Sequence, residues 1–392
     1  MQPLNISHYT VTTALGAGLD AQLHALRAEA TGLRHRSFET CPIACWIGEV
    51  HELDIALSGA LAEWDCRNNR LAWLGLRQDG FIDAARALRE RHGAERVGVF
   101  IGTSTAGVHS TELAYRERHA TQRPLPGWFN YRTSQNCFSA ADFVREALGL
   151  QGVALSIATA CSSSAKVFAS AHRAMQAGLC DTAIVGGVDS LCLTTLYGFN
   201  SLQLVSPEIC RPADAARRGI SIGEAAGFAI LEKNAGAGMA LLGYGESSDA
   251  HHMSAPHPEG EGAAAAMRAA LERAGLRPQD VDYINLHGTA TPANDAAEDK
   301  GVCALFGTAT PCSSTKGWTG HTLGAAAITE AVFALLCMEH GFMPRSLNTQ
   351  EKDPAIHGNI LLQAREAGVA RVLSNSFGFG GNNCSLLFGR PA

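Results

Sequence analysis

The chain has 392 residues, 46% hydrophobic and 17% charged, enough to bury a sizeable core and too apolar for a disordered protein. Thirty-one Lys and Arg against thirty-seven Asp and Glu give a net charge of −6, which speaks against a general nucleic-acid binder. Twelve cysteines would suit a secreted protein, but the opening MQPLNISHYTVTTALGAG has no basic segment followed by an apolar stretch. The thiols are therefore read as reduced and the protein as cytosolic. No apolar run approaches the roughly 18 residues of a membrane span, since AVFALLCM after Glu330 stops at Glu339.

Strand and helix patterns alternate along the chain, which predicts an α/β architecture. Val97–Gly102 is a buried strand, Ala140–Leu148 a helix with Ser139 as N-cap, and Val153–Ala158 a strand. Ser162–Ala177 follows as a helix closed by Gly178, and Thr182–Val188 as a strand. A second series comprises a helix at Ala263–Ala274, a strand at Val281–Leu286, a helix at Ala293–Phe306 and a long helix from about Thr322 to His340. Val369–Ser374 and Cys384–Phe388 close the chain as a strand pair. Two series of similar length predict a duplicated fold joined near Lys233–Gly238, with halves at 1–235 and 236–392.

Several stretches invite other assignments. Gly236 and Gly238 lack the third glycine and later acid of a dinucleotide fingerprint. Gly102–Gly107 does not fit G-x-S-x-G, and its glycines are expected to let backbone approach a ligand or a helix. Cys41 and Cys45 have no second pair at ligand spacing and read as packing.

Cys161 stands where a strand gives way to a helix, in SIATACSSSAKVF. There the helix dipole and free backbone N–H groups favour a thiolate nucleophile, the bland alternative being a small buried hydrophobe. His287 opens HGTAT after a strand, and His321 ends STKGWTGH before the long helix. If both halves share one layout, these strand ends converge on one crevice and support nucleophile-plus-acid/base chemistry.

TACSSSA, HGTAT, STKGWTGH and the C-terminal SNSFGFGGNN together resemble the β-ketoacyl-acyl-carrier-protein synthases. RPADAARRGISIGEAAGFAILE (Arg211–Glu232) and SSDAHHM (Ser247–Met253) resemble further motifs of these condensing enzymes, so the likeness covers nearly the whole chain in order. The resemblance implies a thiolase-like fold of duplicated α/β/α/β/α layered halves. It implies an acyltransferase that elongates an acyl thioester with malonyl-carrier protein by decarboxylative Claisen condensation. Cys161 would be the acylated nucleophile, and His287 and His321 would bind malonyl and promote decarboxylation. Lys316 and Glu330 would support the histidines as a buried ion pair, Thr289 and Thr291 would hold the phosphopantetheine arm, and Phe379 would gate the site and complete an oxyanion hole. Lys316, Glu330 and Phe379 also admit purely structural readings.

On this reading no metal or bound cofactor is required, because phosphopantetheine arrives on the acyl carrier protein. The edge strand Val153–Ala158 predicts a dimer, with itself or with a ketosynthase-like paralogue. Arg67, Arg70, Arg211, Arg217 and Arg218 are the candidates for a basic patch that steers an acidic carrier. The motifs depart from the common pattern at Asn294, Ala225, Ala213 and Gln203, and with STKGWTGHTLGAA these departures look closer to specialised synthases such as those of aryl-polyene clusters. A non-catalytic chain-length partner is the first rival, opposed by Cys161. A thiolase is the second, opposed by a Cys-His-His set where thiolases carry Cys-His-Cys.

Overall fold

The computed structural model describes residues 1–233 and 238–391; most of the predicted join, with Gly236, lies outside the described residues. Eleven strands form one path: β1 (Leu4–Thr13), β2 (Val97–Gly102), β3 (Ala154–Ile157), β4 (Thr182–Asp189), β5 (Ala225–Glu232), β6 (Ala240–Ser248), β7 (Tyr283–Asn285), β8 (Pro311–Ser313), β9 (Asn359–Ile360), β10 (Arg371–Gly378) and β11 (Asn382–Gly389). Their order is β9-β8-β7-β10-β11-β6-β1-β5-β4-β2-β3. β1 lies along β5 over most of its length but meets β6 only at Leu4 and Asn5. The path therefore divides there into an N-terminal and a C-terminal sheet.

Alternation along the strands decides what each sheet face covers. In β2, β4 and β5 the side chains of Val99, Ile101, Ile184, Phe228 and Ile230 point to one core, while Phe100, Val185, Ala229 and Leu231 point to another. In β10 and β11, Val372, Leu386 and Phe388 join that second core, and Leu373 and Leu387 face a third. The shared middle core is filled by two helices, α4 (Ser163–Gln176) and α8 (Ala326–His340), which touch each other. α1 (Arg67–Leu76) and α3 (Ser139–Ala147) cover the outside of the first sheet, and α6 (Glu261–Ala274) that of the second. The remaining labelled helices are α2 (Val108–Thr121), α5 (Leu193–Ser201) and α7 (Pro292–Phe306). The result is the α/β/α/β/α layering expected of a thiolase-like fold.

One element is not expected from the sequence, and one expectation needs correction. LNISHYTVTT, to which the sequence pattern assigns no element, is a ten-residue strand, β1, at the junction of the two sheets. Thr10, Thr12 and Thr13 are buried there, so the strand is covered without an apolar run. The segment Leu323–His340 also reaches 18 residues with a mean hydropathy of 1.4, enough by length and composition to cross a membrane. It is 89% buried inside the protein and serves as a core helix.

Among the described residues β3 occupies the sheet edge, hydrogen-bonded on one side only, to β2. Its Leu155 is 39% exposed. Gly102, at the end of β2, shows why that position has no side chain: a Cβ there would lie 2.3 Å from the Ser164 nitrogen at the start of α4.

Candidate active site

The three residues singled out by their position at strand ends lie together. Cys161 Sγ, His287 and His321 offer ligating atoms within 4.8 Å of one another, and all three side chains are buried. His321 Nε2 is 3.0 Å from Cys161 Sγ, and the two imidazole rings stand nearly perpendicular with centroids 5.3 Å apart.

Cys161 sits in a tight turn between β3 and α4. The preceding Ala160 has φ 54°, in the left-handed region that a non-glycine residue occupies only at a cost. Serines hold the turn closed: Ser162 Oγ donates to the Thr159 carbonyl, Ser163 Oγ donates to the Ala160 carbonyl, and Ser163 Oγ accepts from Thr159 N. Ser164 Oγ accepts from Ile328 N at 3.0 Å and so ties the turn to the helix of the other half. The backbone N–H groups of Phe379 and Cys161 approach the sulfur and favour its anion, as does the charge of Lys316. Burial outweighs them and pushes the thiol up to about 11. Dehydration of the sulfur thus opposes the helix terminus and N–H groups that favour its anion, a cost that the position of Cys161 in the sequence does not show.

The histidine tautomers follow from their partners. Leu323 N–H donates to His321 Nδ1 at 3.2 Å, which leaves the imidazole proton on Nε2, facing the sulfur. Lys316 Nζ donates to His287 Nδ1 at 3.3 Å, so His287 likewise carries its proton on Nε2. Lys316 also donates to the His287 carbonyl and to Glu330, and the Lys316 and Glu330 side chains are 2% and 3% exposed. Burial, then the charge of Lys316, holds both histidines well below the usual imidazole range, so both are neutral at pH 7. Burial raises Glu330 to about 7 despite the pull of Lys316.

A Cys-His-His cluster is a plausible zinc ligand set by residue type. The tautomers argue otherwise. A zinc-bound histidine presents a lone pair to the metal and donates its other N–H outward. Here both Nδ1 atoms face donors, so the Nε2 atoms toward the sulfur carry hydrogens.

A cavity of about 270 Å³ opens in front of the three residues. Phe199, Phe377, Phe379, Leu204 and Ile220 line it with Thr289 and Thr291, which are hydrogen-bonded to each other at 2.9 Å. Phe379 packs against Phe199 of α5, with ring centroids 5.5 Å apart. Its loop is pinned by Gly380 N–H donating to the Met253 carbonyl at 2.8 Å.

Two buried carboxylates escaped the sequence reading. Glu298 accepts from His287 N and Gly288 N, both at 2.8 Å, and from Asn375, which fixes the HGTAT loop; burial raises it to about 7. Asp189, at the end of β4, is fully buried among neutral donors. An acid that closes an otherwise apolar strand was its only signal.

Most of the arginines expected to form a basic patch are engaged in ion pairs. Arg67 pairs with buried Glu224 at 2.6 Å, Arg70 with Asp65 at 2.6 Å, and Arg217 with Asp353 at 2.6 Å. Arg211 pairs with Glu208 at 2.5 Å, and Arg218, 61% exposed, lies 3.5 Å from the same carboxylate. The acids that neutralise these arginines are distant in sequence or read as ordinary surface charge, so a count of basic residues misses them.

Comparison with known proteins agrees with this geometry. The β-ketoacyl synthase N-terminal domain matches residues 70–237 and the C-terminal domain residues 239–350. The chain belongs to the β-ketoacyl synthase family. A mitochondrial 3-oxoacyl-[acyl-carrier-protein] synthase of Arabidopsis thaliana is 36% identical, over 78% of this chain and 71% of its own. The 3-oxoacyl-[acyl-carrier-protein] synthase 2 of Staphylococcus aureus is 33% identical, over 75% of this chain and 77% of its own. Among solved structures, a ketosynthase in complex with its chain length factor from Xenorhabdus doucetiae superposes with TM-score 0.92 at 40% identity, over 100% of this chain and 98% of that one. This β-ketoacyl synthase is a condensing acyltransferase that forms carbon–carbon bonds, of the fatty acid or polyketide type.

Proposed function

We propose that Cys161 carries the acyl chain and that His287 and His321 decarboxylate an incoming malonyl thioester, both substrates being delivered by an acyl carrier protein. The observation that carries this reading is the convergence of Cys161 Sγ with two neutral imidazoles at the end of a largely apolar cavity. The Cys161 sulfur attacks the acyl thioester carbonyl, and the thiol proton leaves with the departing carrier thiol. Malonyl then enters, its C–CO₂ bond breaks, and the electron pair passes to the thioester oxygen, which both Nε2–H groups can hold as an enolate. The enolate carbon attacks the Cys161 thioester. The backbone N–H groups of Phe379 and Cys161 take the oxyanion before the Cys161 sulfur is expelled and reprotonated.

Lys316, neutralised by Glu330, keeps the His287 proton on the substrate side. Thr289 and Thr291 offer hydroxyls to the amide groups of a phosphopantetheine arm, which comes and goes with its carrier and needs no resident cofactor or metal. Phe379 against Phe199 forms a gate that acylation would displace. The chain halves at 1–235 and 236–392 divide this labour, the first bringing the nucleophile and the second both histidines.

The likeness to ketosynthase–chain length factor complexes, at 40% and 27% identity, supports a specialised polyketide or aryl-polyene-type role and a heterodimer with a ketosynthase-like paralogue. The half-open edge at β3 supports the same contact. All twelve cysteines are free thiols, which supports a reducing, cytoplasmic setting. The presence of Cys161 favours the catalytic member of such a pair over its chain-length partner.

The test separates the half-reactions. Cys161→Ala is expected to abolish acyl-enzyme formation and condensation while retaining malonyl decarboxylation. His287→Ala and His321→Ala are expected to retain acylation and to lose decarboxylation by about 10²–10³. Condensation by Cys161→Ala, or CO₂ release at the parent rate by either histidine variant, overturns the assignment.

A further inference from the structure

Asp189 has no part in the chemistry above, yet its carboxylate collects donors from both sides of the site. Its Oδ1 accepts from Thr103 Oγ1 at 2.7 Å, Ser104 N at 2.8 Å, Thr105 N at 2.9 Å and Thr105 Oγ1 at 2.8 Å. Its Oδ2 accepts from Gly324 N at 2.5 Å. The hydroxyls donate because an ionised carboxylate can only accept, and each also accepts a backbone N–H, Thr103 Oγ1 from Ala106 and Thr105 Oγ1 from Ser190. All five donors are neutral, and each offers a hydrogen. Only a carboxylate satisfies them together; a carboxamide would turn an N–H₂ group against N–H donors.

The bonds lead to the two strained residues that flank the chemistry. Gly324 follows Leu323, whose φ of 54° is left-handed and whose N–H donates to His321 Nδ1. A leucine holds that conformation only when its surroundings impose it. The anchor on Gly324 N does so, and the fit is close: a Cβ at Gly324 would lie 2.7 Å from Asp189 Oδ2 and 2.8 Å from Ser104 Oγ. On the other side, Ser104, held through its backbone N–H by Asp189, donates from Oγ to the carbonyl of Ala160, the strained residue before Cys161.

We propose that Asp189 is a positioning residue for the condensation: it holds the 322–324 turn so that Leu323 N–H caps His321 Nδ1 and the imidazole keeps its proton on Nε2, toward Cys161. This rests on the role proposed for His321. Without the carboxylate the turn loses its anchor, Nδ1 loses its fixed donor, and the proton redistributes between the two ring nitrogens. The decarboxylation step, which needs Nε2–H, then suffers. Acylation suffers less, because the Cys161 turn that Ser104 touches is held independently by Ser162, Ser163 and Ser164.

The experiment compares Asp189→Asn with the parent and with His321→Ala. Long-range ¹⁵N–¹H correlation spectra of histidine-labelled protein are expected to show His321 as the Nε2–H tautomer in the parent and as a mixture in Asp189→Asn. Malonyl decarboxylation is expected to fall roughly tenfold or more, with acylation of Cys161 changed by less than about threefold. Thr103→Val removes one donor to Asp189 at nearly constant shape and is expected to show the same pattern more weakly; it carries the test if Asp189→Asn does not fold. Unchanged tautomer signals, or equal losses in the two half-reactions, overturn the proposal. If His321→Ala itself decarboxylates at the parent rate, the role of His321 is wrong; the tautomer signal is read without substrate and judges Asp189 by itself.

Discussion

The Nε2 of His321 points its hydrogen at Cys161 Sγ across 3.0 Å, so the imidazole is a donor to the sulfur and not a base that takes its proton. A donor stabilises negative charge once it forms, whereas the resting thiol is held near 11 by burial. Alkylation of Cys161 by iodoacetamide is therefore expected to accelerate about tenfold for each pH unit between 7 and 9, as the small thiolate fraction grows. Mass spectrometry of the alkylated peptide at fixed times reads the rate. A plateau already reached at pH 7 would show a stable thiolate and contradict the burial argument.

Stability should respond to acid through the two histidines. Their folded-state pKa values are depressed, so below the ordinary value of 6.5 the unfolded chain binds more protons than the fold. Their contribution is complete above pH 6.5 and is lost as pH falls from there toward the folded values. Thermal unfolding between pH 7 and 5 is expected to give a falling Tm, with a shallower slope in the double variant His287→Gln, His321→Gln. Equal slopes would sink the prediction.

Glu330→Gln leaves the Lys316 ammonium buried beside two histidines without its counter-charge. Breaking one partner out of such a pair costs about 3–5 kcal/mol. Denaturant unfolding should register that loss. Lys316→Met should instead raise the histidine pKa values, because the lysine charge is one cause of their depression. The acid limb of its decarboxylation profile is expected at higher pH than in the parent.

Zinc should be a poor ligand for the Cys161, His287 and His321 cluster despite its residue types. Leu323 N–H and the Lys316 ammonium both point at Nδ1 atoms, so coordination through Nε2 would set donor against donor. Low-micromolar zinc at pH 7 is expected to leave the alkylation rate of Cys161 unchanged; strong protection would contradict the tautomer assignment.

Gly102→Ala places a methyl 2.3 Å from Ser164 N and 2.6 Å from the Ser163 carbonyl carbon. The start of α4, and Cys161 with it, must move. The variant is expected to lose acylation by more than tenfold even where it remains folded by circular dichroism.

The sequence was most legible where both faces of an element are buried. VGVFIG and all of TAIVGGV but Thr182 are apolar, and both strands lie inside the edge of the first sheet. β1 was missed because its buried side chains include threonines, whose burial depends on neighbours that a local pattern does not contain. Cys161 and His287 could be read because each follows the end of a strand, whereas His321 follows the short helix Lys316–Thr319 and was legible only from its motif before the long helix. Glu298 could not, since in HGTATPANDAAED it looks like one acid of a solvated run, and only the fold turns it toward His287 N and Gly288 N. For the thiol only half of the balance is legible: a helix N-terminus is visible in sequence, but the dehydration of the sulfur is not.

The burial of α8 also bears on how the protein is made. This helix carries Glu330 to Lys316 and packs on β10 and β11, which follow it in the chain. At roughly 5–20 residues per second, translation of residues 341–389 leaves Leu323–His340 waiting several seconds for its cover. During that interval the nascent chain displays a segment whose length and hydropathy match those of a membrane span. Glu330 and Glu339, out of place in a lipid-facing helix, weigh against insertion until β10 and β11 cover it.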